Sequence, residues 1–151
     1  MKAKTIIFPT DFSSSSDAAL AHATSLARDT GARLLIVHVA EPPTTYGGGE
    51  MYYGVLEPNL NELLRMLHAV HAEDPAVACE HRLLAGDPAS AITELARKEN
   101  ADLIVMGTHG RTGLVRLLMG SVAEAVVRRA PCPVFTFKQP KQPKPSVAAA
   151  Q

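Results

Sequence analysis

Asp102-Leu-Ile-Val-Met-Gly-Thr-His-Gly-Arg-Thr-Gly-Leu-Val-Arg-Leu-Leu-Met-Gly-Ser-Val122 is the stretch whose reading decides the fold. Asp102 to Met106 is a short apolar run that predicts a buried strand, and Val122, Ala125, Val126 and Arg129 mark a helix over about Ser121 to Arg129. Between them lies a polar loop with Gly107, Gly110 and Gly120, and Ser121 follows the last glycine. A Gly-rich loop joining a parallel strand to a helix N-terminus gathers backbone N–H groups and the positive end of the helix dipole, a setting that favours phosphate. Gly107 and Gly110 allow close backbone approach, Thr108 and Ser121 add donors, and Arg111 adds a charge for phosphate oxygens. The residues alone leave a second reading open, in which the glycines serve only tight turns.

Outward from this stretch, strand and helix signals alternate in single file. Thr5-Ile-Ile-Phe8 is an apolar run stopped by Pro9, and Ser13 to Asp29 sets Ala19, Leu20, Ala23, Leu26 and Ala27 on one helical face. Ser13 or Ser14 is the candidate N-cap, and Gly31 the stop. Arg33 to Ala40 is a longer buried strand, and Leu60 to Val70 reads as a helix with its stripe through Leu60, Leu63, Leu64, Leu67 and His71. Val77 to Leu84 alternates with a period of two, which suits an edge strand. Asp87-Pro88 starts the next helix, buried through Ile92, Leu95 and Ala96, and Pro133 to Phe137 is a fifth strand. Five strands with helical crossovers predict an open parallel α/β sheet covered by helices on both faces. Glu41 to Pro58, rich in Gly and carrying Tyr46, Tyr52 and Tyr53, reads as a long flexible loop, a lid or contact surface at most. The expected organisation is one folded domain over residues 1–138 and a disordered Pro/Lys-rich tail over 139–151.

The 151 residues are 46% hydrophobic, enough for one domain with a proper core. Fifteen basic and fifteen acidic residues leave no net charge, which argues against a nucleic-acid partner held by a basic surface. No apolar run approaches the roughly 20 residues that span a bilayer. The run before Pro9 is too short for a signal-peptide core, so a soluble cytoplasmic protein without membrane partners is expected. Cys79 and Cys132 stand outside any C-x-x-C and read as reduced, largely buried thiols in strands.

In an open parallel sheet, ligands bind beyond the C-terminal strand ends where the strand order reverses. The residues there are Pro9-Thr-Asp-Phe-Ser13, His38-Val-Ala-Glu41 and Gly107-Thr-His-Gly110. Asp11 suits ribose hydroxyls or an adenine amine, although a carboxylate there can equally serve the helix dipole. His109 can touch a phosphate, change charge near neutrality, or cap the loop. No Gly-Lys dipeptide, G-x-G-x-x-G or G-x-S-x-G is present, which removes the P-loop, the dinucleotide fingerprint and the hydrolase elbow. His68 and His71 share a helical face without an evident third ligand, so no protein-held metal is expected.

These residues resemble the universal stress proteins over about Lys4 to Lys138. The resemblance rests on Pro9-Thr-Asp-Phe-Ser13, on His38-Val39, and on Gly107-x2-Gly110-x9-Gly120-Ser121, the G-2x-G-9x-G-(S/T) pattern of that family's nucleotide-binding branch. It implies a Rossmann-like sheet of order 3-2-1-4-5 with ATP across the reversal between strands one and four. Asp11 and the Val39 backbone would contact adenosine, and Pro9 and Thr10 would line its pocket. Met106, Gly107, Gly110, Gly120, Ser121 and Val122 would surround ribose and phosphates, with any Mg²⁺ or Mn²⁺ carried by the phosphates. It further implies a homodimer through the last strand, Pro133 to Phe137. No general base is evident for hydrolysis, so the expected function is a stress-response nucleotide sensor or carrier with little turnover. A slow ATPase and a nucleotide-independent interaction module are the alternatives.

Overall fold

A computed structural model describes residues 2–42, 59–108 and 119–138. Its elements alternate: β1 (Thr5–Pro9), α1 (Ser14–Thr30), β2 (Arg33–Ala40), α2 (Leu60–Ala69), β3 (Cys79–Ala85), α3 (Pro88–Lys98), β4 (Leu103–Gly107), α4 (Ser121–Arg129) and β5 (Val134–Phe137). All neighbouring strands pair in parallel, in the order β3-β2-β1-β4-β5. The chain therefore steps outward from β1 to β3, crosses back, and continues on the other side of β1. This is the architecture expected above.

Local chemistry sets the element ends. Ser13 accepts from the Ser16 N–H as N-cap of α1, and Gly31 closes it at φ +73°, a left-handed geometry that costs glycine little. Asp87 caps α3 in the same way, with Pro88 in its first turn. The Asp87 carboxyl is held below its ordinary value by the Ser90 hydroxyl and N–H, with Arg129 adding to them.

Two apolar layers sandwich the sheet. Ile6, Phe8, Leu34, Ile36, Leu103 and Val105 face α1 and α2, while Ile7, Leu35, Val37, Ile104 and Met106 face α3 and α4. Central strands are thus apolar on both faces, as a covered parallel sheet requires. The edge strand β3 has no fully buried residue, in keeping with its alternating sequence.

Three expectations are corrected. The α2 stripe buries only Leu67, leaving Leu60 54% and Leu64 38% exposed. His71 lies beyond the end of α2, so it shares no helical face with His68. Cys132 is half-buried and precedes β5 rather than lying in a strand, and Cys79 in β3 is also half-buried. The loop residues 43–58, the tail 139–151, and His109, Gly110 and Arg111 lie outside the described residues.

Candidate functional site

The sheet opens between β1 and β4. β1 pairs with β2 as far as Pro9↔Val37, and β4 with β5 as far as Gly107↔Phe137. Between β1 and β4, however, pairing covers only Ile6↔Leu103 and Ile7↔Ile104. Successive N–H groups of a strand point to opposite neighbours. The Thr10 N–H donates to Val37 O on β2 at 2.8 Å, so the preceding position faces β4. That position is Pro9, which has no N–H to donate. The two strands part there, at their C-terminal ends, where the strand order also reverses.

One wall of this crevice is the turn after β1. The Asp11 carboxylate accepts through Oδ1 from the Ser13 N–H (3.0 Å) and the Ser16 hydroxyl (2.8 Å), placing an anion at the α1 N-terminus. The Asp11 N–H points back to Ser16 Oγ at 3.3 Å, and the Phe12 N–H to Thr10 Oγ1 at 3.0 Å. Phe12 sits at φ +65°, a left-handed conformation costing a bulky residue on the order of 1 kcal/mol. The buried His38 ring touches it, centroids 4.4 Å apart, and His38 Nδ1 lies 2.8 Å from Thr10 O. Val39, next along β2, is buried on the opposite face, among the residues facing α3 and α4.

The other wall is the end of β4. Met106 and Thr108 are buried, and Thr108 is fixed by its N–H to Phe137 O (3.0 Å) and by its carbonyl, which accepts from the Gly120 N–H (2.7 Å). That last bond brings the start of α4 to the strand end. Gly120 is the N-cap of α4 and provides no side-chain cap, so the first turn, beginning at Ser121 and Val122, keeps its donors without a side-chain acceptor from the cap. Gly107 is needed for a different reason. A Cβ there would lie 2.5 Å from Ser15 Oγ and 2.9 Å from the Ser15 carbonyl oxygen, so its bare backbone is what lets α1 lie against β4.

Pro9, Thr10, Asp11, Val39, Met106, Gly107, Gly120, Ser121 and Val122 thus come from the strand ends and helix starts around this crevice. The sequence did not single out Ser15 or Ser16, and it marked His38 only as a strand-end residue, with no contact assigned to its ring. The run of serines from Ser13 to Ser16 was the available signal for small, polar packing at a helix start. Other groups stand apart. Burial, and then the Asp102 charge, pushes the Cys132 thiol up, away from the nucleophilic thiolate. No group of three His, Cys, Asp or Glu able to hold a metal occurs among the described residues. A cavity of ≈ 340 Å³ on the outer side of α4 shares only Ser121 with the crevice, and its arginines already pair, Arg128 with Glu124 and Arg129 with Asp87.

Comparison with known proteins matches this geometry to a family. A universal stress protein of Methanocaldococcus jannaschii is 39% identical over 144 residues, covering 92% of this chain and 84% of that one. A universal stress protein solved in complex with cAMP superposes with a TM-score of 0.69 at 27% identity, covering 93% of this chain and all of the other. The universal stress protein of Archaeoglobus fulgidus solved in complex with dAMP gives 0.65 at 26% identity, over 90% of this chain and 98% of that one. The model of the universal stress protein family matches residues 2–138, and this chain belongs to that family.

Proposed function

We propose that the chain belongs to the nucleotide-binding branch of its family, taking ATP into the β1/β4 crevice and acting in the cytoplasm as a stress-response nucleotide sensor or carrier with little or no turnover. The observation that carries this reading is the contrast between the two helix starts beside the crevice. The α1 start already holds the Asp11 carboxylate, whereas Gly120, the N-cap of α4, has no side chain to cap with, and no side-chain cap is found there among the described residues. A carboxylate repels phosphate and accepts from hydroxyls, while uncapped N–H groups at a dipole's positive end attract phosphate. A ligand with a polyol at one end and a polyanion at the other fits this polarity in one direction only. The relatives solved with cAMP and dAMP support adenine as its base.

In this orientation Pro9, Thr10, Asp11 and Val39 line the adenosine end. Met106, Gly107, Gly120, Ser121 and Val122, together with His109, Gly110 and Arg111, surround ribose and phosphates. A divalent Mg²⁺ or Mn²⁺ enters with the phosphates rather than in a protein cage. We further propose a homodimer through β5, because Phe135 of that edge strand is exposed, and a single domain over 1–138 followed by a tail over 139–151. No described helix is long and apolar enough to cross a membrane. Native mass spectrometry of the freshly purified protein tests both points, with the expected species a dimer that gains one ATP per chain on titration. Protein that gains no ATP at about millimolar ligand would sink the reading.

A further inference from the structure

We infer that His38 is the positioning residue of the nucleotide site, holding the turn after β1 so that the Asp11 carboxylate stands at the crevice. The inference rests on the nucleotide reading above and adds a residue that makes no ligand contact itself. A carbonyl oxygen only accepts, so the 2.8 Å contact between His38 Nδ1 and Thr10 O is an Nδ1–H donation. That donor is what the contact requires of the ring. His38 is buried, and it belongs to β2, which runs beside β1 as far as Pro9↔Val37. The ring is therefore a firm post beside a turn that lies past the end of β-pairing.

The peptide it grips is the one that leads into Asp11. Thr10 O and the Asp11 N–H are the two polar ends of a single planar unit. His38 holds the first, and Ser16 Oγ receives the second at 3.3 Å. With that plane fixed at both ends, the N–Cα bond of Asp11 is set in place, and rotation about it, which steers Cβ, is limited by the tie of the next N–H, Phe12, back to Thr10 Oγ1. The next residue shows that the turn needs holding. Phe12 is at φ +65°, a conformation a phenylalanine does not keep on its own. Its N–H is tied to Thr10 Oγ1, and its ring lies against the His38 ring at 4.4 Å and 37°. His38 thus acts twice on three successive residues, by a hydrogen bond before Asp11 and by ring contact after it. A buried histidine whose only role is to fill the core would be expected to affect stability and leave ligand contacts alone.

Two substitutions separate these roles. His38→Leu keeps apolar bulk and removes the donor. His38→Asn removes the ring but carries an amide N–H at nearly the position of Nδ1–H. Calorimetric titration with ATP, below the melting temperature of every variant, is expected to show binding weakened about tenfold or more in His38→Leu and within about threefold of wild type in His38→Asn. Melting temperature is expected to follow the other order, with His38→Asn no more stable than His38→Leu. The clamp itself is read without ligand, from the carbon NMR signal of the Asp11 carboxyl, which should move in His38→Leu and return in His38→Asn. An unmoved Asp11 signal in His38→Leu overturns the clamp, as does ATP binding equal to wild type in that variant or equally weak in both. Wild-type protein that binds no ATP while the carboxyl signal behaves as stated overturns the nucleotide reading and leaves the clamp standing.

Discussion

At Gly107 the β4 backbone and the first turn of α1 approach so closely that no side chain fits between them. The tightest neighbours of an added Cβ include the Ser15 carbonyl oxygen at 2.9 Å, and a helix backbone does not step aside as a flexible side chain does. Gly107→Ala is therefore expected to destabilise the fold by about 1–3 kcal/mol. Adding Ser15→Gly should recover only part of that loss, because it removes Oγ and leaves the carbonyl. Denaturant midpoints of the single and double variants check this, and full recovery would show that the hydroxyl alone sets the limit. The glycine was legible in the sequence as a place of close backbone approach, read there for a phosphate rather than for a helix. Its neighbour was not, because Ser15 belongs to a helix nearly a hundred residues earlier in the chain, and loop spacing carries no information about the helix packed above it. The Ser13 and Asp87 caps were legible for the opposite reason, since an N-cap acts within three residues.

Between elements, the pairing of β1 with β4 is tied at one end and open at the other. At the tied end the Asp102 carboxylate accepts the Lys4 N–H at 2.8 Å and the Thr5 N–H at 3.0 Å, fastening the start of β1 to the start of β4. At the open end Pro9 offers β4 no donor. The bonds from Lys4, then Thr5, hold the Asp102 carboxyl below its ordinary value of 3.8. A carboxylate depressed in the folded state stabilises fully above its unfolded pKa, and that contribution is lost as pH falls through the lower folded value. Asp102→Ala is expected to lower stability by about 1 kcal/mol near neutrality, the modest figure reflecting a solvent-screened site. The difference from wild type should shrink steadily below the ordinary carboxylate value. Urea titrations at neutral and strongly acidic pH measure it, and an equal difference at both would refute the assignment. Element type was legible throughout, from period and caps. The burial of α2 was not, because periodicity shows that Leu60 and Leu64 share a face but not whether anything lies against that face.

Over the whole molecule, the two sheet edges differ in kind. β3 carries Glu80 and Arg82, which pair with each other, and Glu80 also pairs with Arg33, giving that edge charges that discourage strand addition. β5 presents Phe135, 37% exposed, with Val127 of α4 45% exposed on the other face of the sheet. A dimer through β5 therefore predicts that Phe135→Lys halves the mass measured by sedimentation without loss of the folded signal. An unchanged mass would remove β5 from the interface. The strand count and parallel crossovers followed from the residue pattern, while the order β3-β2-β1-β4-β5 came from the family resemblance, since alternation alone does not say where a chain turns back. That turning point makes the crevice, and the crevice makes the central claim. Titrating ATP with Mg²⁺ into wild-type protein and Asp11→Ala, with heat as the readout, tests it most directly. The account predicts one site per chain in wild type and binding weaker by roughly tenfold or more in Asp11→Ala. No heat at about millimolar ATP, or two indistinguishable isotherms, would contradict it.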